Sequence, residues 1–434
     1  MTNKLKQNIN DEKNKLQTFR IDWFLLIIFG FLLLGGLTFL ASSLSFRSIV
    51  DYQSEFFKQL FFGLWIGGFL TYFLAKTDYH NLLKFAKPLL WISITSLLFL
   101  VVFIIYMIFT GKSDIAQQQD FVNSLNFLPI KPSFAGGAVR WIKIGFGENG
   151  ITSIQPSEII KLTMLLYFAT SLQNIISNSS KITWFSLKKP LYMLFVVLSL
   201  IYLQRDLGNP IIIFGICFAA MWMVKVPFKI LGILLSIGLV FGYLAIIGAG
   251  YRSNRVQTFL DISKDSSSAC NSTDTIIRDR NRQVCGVRAS LTRGGMWGKG
   301  YGSGTGKQDG SVPEVSNDGI LAVIGEEVGF VGTIIFLSLY IILFYKSLRI
   351  AKNAPDIAGT ALAGGIGFWI TSQAFLNVAG ITGLLPLKGI PLPFVSEGGS
   401  ALVLNMMAVG ILFNISSQKK SEKLKNNSNL FDKS

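Results

Sequence analysis

Ten apolar runs, each long enough or nearly long enough to cross a bilayer, punctuate this 434-residue chain and leave it few ways to fold. They fall at about 23–42, 56–75, 88–110, 157–176, 191–204, 210–224, 230–250, 319–345, 357–378 and 401–415, with 191–204 and 210–224 the short ones. About 20 apolar residues span the hydrocarbon as a helix, and in lipid each backbone polar group must find its partner inside the protein. The expected fold class is an all-α integral membrane protein of about ten transmembrane helices. Composition agrees: 50% of residues are hydrophobic and 15% are charged, against about 25% charged in soluble domains.

A formal net charge of +16 raises the question of nucleic acid. The distribution of the basic residues answers it. They fill the N-terminal tail (Lys4, Lys6, Lys13, Lys15, Arg20), the C-terminal tail (Lys419, Lys420, Lys423, Lys425) and alternate short loops: Lys76, Lys84 and Lys87; Lys181, Lys188 and Lys189; Lys225 and Lys229; Lys346, Arg349 and Lys352. That is the positive-inside pattern. It implies cytoplasmic tails at 1–20 and 418–434, a transmembrane domain over 21–417, and no nucleic-acid partner. The charged first twenty residues read as a retained tail, not a cleaved signal peptide.

The opposite face is expected to carry two long loops, 111–156 and 251–317, and a Gly/Pro-rich turn at 380–400. Loops this long are usually functional or disordered, and Trp141, Trp297 and the many glycines and arginines argue against a floppy linker. Three cysteines and one histidine exclude a Cys/His metal cluster. Cys270 and Cys285 share the second long loop, where a disulfide and two separate thiols are both open readings. Cys217 reads as a small packing residue, and His80, in a basic loop, as solvent-facing.

The segment 313–332, P-E-V-S-N-D-G-I-L-A-V-I-G-E-E-V-G-F-V-G, passes from polar loop into apolar helix. Asp318 stands at its mouth, and Glu326 lies roughly 12 Å further along such a helix. Ionisable groups within a span face a bundle interior or a wet cavity, so Glu326 and Glu327 are expected to pair with intramembrane cations. Asp318 has two compatible readings: an N-cap for the helix, or a base at a cavity entrance. Glu158 and Lys161, three apart on a helix, can pair on one face. Gln204-Arg205-Asp206 is either a buried polar hinge or part of a lipid path. The glycines of 294–306 read as tight turns, because no β-α-β unit is present to make a phosphate cradle.

Five ordered blocks now carry a resemblance: G-G-A-V-R-W-I-K-I-G (136–145) with I-Q-P-S-E-I-I-K (154–161); Q-R-D-L-G-N (204–209); Y-R-S-N-R-V-Q-T-F-L-D (251–261); R-G-G-M-W-G-K-G-Y-G-S-G-T (293–305); and N-V-A-G-I-T-G-L-L-P-L-K-G-I-P-L-P-F-V-S-E-G-G-S (377–400). With these the chain resembles the SEDS family (shape, elongation, division and sporulation), the RodA/FtsW/SpoVE group of bacterial cell-wall polymerases. It departs from the family at Arg205, where proline is usual, at Asn209, at Asn317-Asp318-Gly319, at Glu397, and in the insertion around Cys270–Cys285.

The resemblance implies a ten-helix SEDS fold and an inverting peptidoglycan glycosyltransferase that polymerises lipid II on the outer face of the cytoplasmic membrane. It makes Asp318 the catalytic general base. Arg140, Lys143, Arg252 and Arg255 become candidates for the substrate pyrophosphate, suited to it by charge and geometry, with snorkelling to lipid headgroups as the competing reading. Glu158, Lys161, Lys299 and Lys388 are further substrate-binding candidates, and Lys307 is a companion of Lys299. No tightly bound cofactor is implied; a divalent cation, Mg or Mn, would bridge pyrophosphate and Asp318. Expected partners are lipid II, a class B penicillin-binding protein transpeptidase and proteins of the divisome or elongasome. Some blocks lean toward the division branch and Ile390–Phe394 toward elongation. A lipid II flippase and a non-catalytic membrane scaffold are the alternatives.

Overall fold

The structure is a computed structural model that describes residues 21–46, 49–111, 115–125, 128–135, 138–145, 152–178, 182–206, 208–247, 257, 259–262, 264–270, 274–307, 312–385 and 389–418. Arg252, Arg255, Lys388, the tail expected at 1–20 and all but Gln418 of the tail expected at 418–434 lie outside these residues. The elements in order are α1 (Trp23–Leu44), α2 (Ile49–Lys58) continuing through a π-helical turn (Gln59–Trp65) into α3 (Ile66–Lys76), α4 (Tyr79–Lys84), α5 (Ala86–Phe109) and α6 (Ile115–Ser124). Then come β1 (Ile130–Ala135), β2 (Ala138–Ile144), β3 (Thr152–Ile154), α7 (Pro156–Asn178), α8 (Trp184–Leu203), α9 (Gly208–Met223) and α10 (Phe228–Ile247). The chain closes with α11 (Ser266–Cys270), α12 (Thr275–Gly294), α13 (Ile320–Asn353), α14 (Ile357–Ile381) and α15 (Gly399–Ser417).

This is an all-α, multi-pass membrane protein. Among the described residues, seven helical stretches are long and apolar enough to cross a bilayer: α1, Glu55–Lys76, α5, α7, α8, α13 and α15. Shorter apolar helices at α9 and α10, and the 25-residue α14, occupy the other three expected positions. Large apolar side chains such as Trp65, Phe69, Phe109 and Phe185 remain exposed, as lipid-facing residues do.

Three expectations need correction. The span expected at 191–204 is α8, which begins at Trp184 because Thr183 and Ser186 form a reciprocal capping box. Lys188 and Lys189 ride in its first turns, where long side chains can snorkel. The 111–156 connection is not irregular: β1, β2 and β3 form an antiparallel sheet in that order, with Lys131 opposite Lys143 and Lys143 opposite Ser153. The span expected at 319–345 runs from Ile320 to Asn353 and is broken at Gly329 (φ 70°, ψ −173°).

α14 explains how the bundle closes. Its sequence, I-A-G-T-A-L-A-G-G-I-G-F-W, is only mildly apolar, yet it packs against α13, α9, α7 and α15. Between lipid-immersed helices, small residues allow the close approach that makes packing favourable. Gly364, Gly365 and Gly367 face Met223, Leu165 and Ser347, so closely that a Cβ would meet each neighbour at 2.5 Å or less.

The segments whose lysines mark one face meet there. Asp356 caps α14 through the Gly359 N–H and accepts from Tyr79 Oη, while Gln418 Nε2 donates to Asp78. His80 lies between Asp78 and Asp356, each 2.7 Å away. It is half-buried and ion-paired, where the sequence had placed it facing solvent. The Asp356 contact pushes the His80 pKa up to about 9, burial opposes this, and Asp78 adds to it. On the same face Lys346 Nζ reaches Asp22 at 2.7 Å. We call this the basic face and the opposite one, which carries the long connections, the loop face.

Candidate active site

At the loop face the chain enters α13 through a tight series of turns at 312–319. The amides of Asn317 and Gly319 both donate to Glu314 O, and Glu314 itself takes a left-handed φ of 52°. Val312 and Val315 anchor these turns in an apolar cluster with Val287 of α12, Leu321, Ala322 and Val323 of α13, and Ile381 of α14. The turn that brings Asp318 forward is therefore fixed from below by packing and from within by its own backbone.

Asp318 does not cap α13. The N-cap is Gly319, which makes no side-chain cap bond. The Asp318 carboxylate instead reaches sideways to two other segments. Gln283 Nε2 donates to Oδ1 at 3.0 Å, and the Gly389 N–H donates to Oδ2 at 2.9 Å. Its carbonyl accepts from Asn377 Nδ2 at 2.9 Å, and the same amide group reaches Ile390 O at 2.7 Å. Three other elements thus converge on one residue that is 8% exposed. N–H donors stabilise a carboxylate's charge, and a carboxylate offers about four lone-pair sites for such bonds.

The turn after α14 is tied to the same spot. The Glu397 N–H donates to Ser316 O at 2.8 Å, and the Ser316 hydroxyl donates to the Glu397 carboxylate. The Ser396 hydroxyl accepts from the Leu392 N–H at 2.8 Å and donates to Asn317 O. The departure at Glu397 is thereby absorbed: its carboxylate fastens the turn beside Asp318.

Glu326 and Glu327 sit just ahead of the break at Gly329, both 1% exposed. Their cations come from the last turn of α12 and the glycine-rich strap that follows it, not from within the bundle as the sequence suggested. Glu326 accepts from Arg293 Nε at 2.9 Å, Lys299 Nζ at 3.2 Å and the Thr305 and Gly306 amides at 3.0 Å each. Glu327 accepts from Lys307 Nζ at 2.8 Å and from the Ser42 hydroxyl at 2.5 Å. The amides of Lys299 and Gly300 satisfy the carbonyls of Glu326 and Glu327, and Phe330 and Val331 return the pattern to Gly295 and Met296. Helix α13 can break here because the strap supplies its missing partners. Lys299 and Lys307 are engaged in holding the strap, where the sequence had given them substrate phosphates.

Glu158 and Lys161 form a fully buried pair at 2.5 Å, with Lys161 also donating to Gln373 Oε1 at 2.9 Å. Arg140, on β2, spends its guanidinium on the Gln204 and Arg205 carbonyls at the end of α8, and Lys143 stands three residues further along the same strand. Asp206 receives the first amides of α9, from Gly208 and Asn209, which makes Gln204–Asp206 a structural hinge. Arg205 has a φ of 61°, a conformation closed to the proline usual in the family. Cys270 and Cys285 are joined in a disulfide. Cys217 is buried in the bundle.

The residues that sequence reasoning missed are Gln283, Gly389 and Asn377. No local pattern marks Gln283 or Asn377 as partners of Asp318, since each arrives from a distant element. The strand β2 did leave a signal, the β-branched and aromatic residues of V-R-W-I-K-I at 139–144.

Comparisons with known proteins fit this arrangement. Residues 121–421 match the family model FTSW_RODA_SPOVE, described as cell cycle protein. A protein named probable peptidoglycan glycosyltransferase FtsW, from Geobacter metallireducens, is 34% identical over 300 residues, covering 68% of this chain and 74% of the relative. The stage V sporulation protein E of Bacillus subtilis is 30% identical over 400 residues, covering 91% and 96%. Among solved structures, the rod shape determining protein RodA of Thermus thermophilus superposes with a TM-score of 0.60 at 20% identity, covering 93% of this chain and 99% of that one. A chain from a structure titled for a peptidoglycan synthase complex that coordinates polymerization and crosslinking gives a TM-score of 0.64 at 20% identity, covering 91% and 97%.

Proposed function

The chain belongs to the FtsW/RodA/SpoVE family, and from that premise we propose that it is a peptidoglycan glycosyltransferase that polymerises lipid II with Asp318 as general base. The observation that carries the assignment of the base is the Asp318 carboxylate itself: an acid at the loop face, turned away from its own helix and held by N–H donors on both oxygens.

The chemistry follows from that geometry. An acceptor sugar hydroxyl attacks the anomeric carbon of the growing glycan. The new C–O bond forms as the bond to the pyrophosphate oxygen breaks, the hydroxyl proton passes to Asp318, and lipid pyrophosphate leaves with the bonding electrons. One base suffices, because the leaving group needs its charge neutralised more than it needs a proton.

The residues present do not fit a protein-held divalent cation. A single carboxylate among amide donors is a poor site for Mg or Mn, which favour several oxygen ligands, and among the described residues no group of three His, Cys, Asp or Glu gathers. The expected cation would therefore be held by the substrate pyrophosphate, where it would neutralise charge on the leaving group.

The flippase alternative would use the broken helix α13 as part of a transport path, as transporters do. Here the break is filled by the chain's own strap, whose amides occupy the carbonyls a cargo would need. Charge asymmetry supports a loop face outside the cytoplasmic membrane and both tails inside. By the same family logic the transpeptidase partner is a class B penicillin-binding protein, within a divisome or elongasome. The test is glycan formation from lipid II by purified protein: activity in the parent and none in Asp318→Asn supports the reading, and polymerisation by the variant removes the aspartate from it.

A further inference from the structure

Helix α12 bears on Asp318 with one face and on the disulfide with another. Gln283, Val287 and Leu291 recur at helical spacing. Gln283 Nε2 holds Asp318 Oδ1 at 3.0 Å, Val287 packs with Val312 and Val315 beneath the turn, and Leu291 closes on Gly325 of α13. Cys285, two residues beyond Gln283, points elsewhere on the helix and is bonded to Cys270 of α11. The same side carries Val284, packed with Ile262 and Ala269, and Arg288, whose Nε donates to Thr382 O at 3.2 Å. Asn281 Nδ2 donates to Ala269 O at 3.4 Å.

We propose that Gln283 is a positioning residue for Asp318 and that the Cys270–Cys285 disulfide braces the helix that carries it. The proposal rests on the general-base reading of Asp318. A side-chain amide suits this task. It fixes the carboxylate's orientation by a directed N–H bond, yet depresses its basicity less than a cation in the same place would. The brace suits it too. The disulfide closes a loop of sequence separation 15 that ends two residues past Gln283, so the amide sits beside the closure and not in the middle of a slack loop. The cysteine pair lies in the insertion where this chain leaves the family pattern, so the brace is a feature of this protein's own second long loop.

The test uses full-length protein in detergent, with lipid II polymerisation followed across pH. Gln283→Leu is expected to lower turnover at neutral pH by about 10- to 100-fold with KM changed by less than about threefold, and to move the acid limb of the rate profile to higher pH. Gln283→Glu, close in shape, sets a second carboxylate against the first and is expected to raise that limb by about one pH unit or more. Removal of the brace by Cys270→Ala with Cys285→Ala lowers turnover in the same direction, and adding Gln283→Leu to it costs little more, because the two act as a unit. Monodisperse elution and an unchanged melting profile show that each variant is folded, and the near-isosteric Gln283→Glu serves if Gln283→Leu does not fold. Full rate and an unshifted limb in the Gln283 variants overturn the proposal. So does a loss that is equal at every pH, and fully additive losses overturn the brace. If Asp318→Asn still polymerises, the general-base reading fails first; if it is inactive while the Gln283 variants match the parent, only this inference fails.

Discussion

The backbone N–H of Gly389 meets Oδ2 of Asp318 at 2.9 Å across 71 residues of sequence. Gly389 has a φ of 76°, in the left-handed region that glycine enters without penalty. The turn after α14 therefore delivers an amide to the entrance of α13 that a side chain at 389 would disfavour. Together with Gln283 it gives the carboxylate one defined orientation at the loop face.

The buried Glu158–Lys161 pair gives a first test of what holds the bundle. Removing one partner strands a charge, so Glu158→Gln or Lys161→Met alone is expected to destabilise by about 3–5 kcal/mol. Glu158 Oε2 has no hydrogen-bond partner among the described residues, so the pair is incompletely satisfied. The double variant should therefore lose less than either single one. Thermal melts of the three variants in one detergent measure this; a double variant weaker than both singles would contradict it.

Gly329 is the second test. Its conformation is essentially confined to glycine, and a Cβ there would meet the Gly298 N at 2.3 Å and Met296 O at 2.6 Å. Both are backbone atoms of the strap and cannot rotate aside. Gly329→Ala is expected to cost about 3 kcal/mol or more, and to raise hydrogen exchange at the Thr305 and Gly306 amides as the strap lifts. Normal protection at those amides in the variant would show that the strap does not depend on the break.

How much of this was legible in the sequence depends on range. The multi-span, all-α fold could be read because apolar length is a local property, and α14 was found despite its glycines because the run is still long enough. The start of α8 was misjudged because Lys188 and Lys189 look like a loop until the Thr183 cap is seen to begin the helix before them. Asp318 was singled out from the sequence, but its partners were not. A polar residue such as Gln283 carries no sign of which distant carboxylate it will meet. Glu326 and Glu327 read as acids in need of cations, correctly, but Arg293 comes from the end of α12, and the strap that supplies Lys299 and Lys307 folds back from outside the helical pattern.

The basic face offers a pH test. His80 is raised from 6.5 to about 9 by its hydrogen bond with Asp356, against burial, with Asp78 assisting. A pKa raised by folding stabilises fully below the unfolded value, and this contribution is lost as pH rises from 6.5 through 9. Because His80 is 39% exposed, the contribution after solvent screening is about 1 kcal/mol. His80→Gln should flatten the fall in melting temperature across that window and leave the loop face untouched. An identical pH dependence in parent and variant would remove His80 from the account.

The central claim is that the Asp318 carboxylate takes the acceptor's proton, and the rate of lipid II polymerisation by Asp318→Asn tests it most directly. The variant keeps the size of the side chain and loses the base, so a folded protein with turnover reduced by about 10²- to 10⁴-fold and a melting temperature close to the parent's is the expected result. Glycan made at a rate comparable to the parent's by that same folded variant would contradict the assignment.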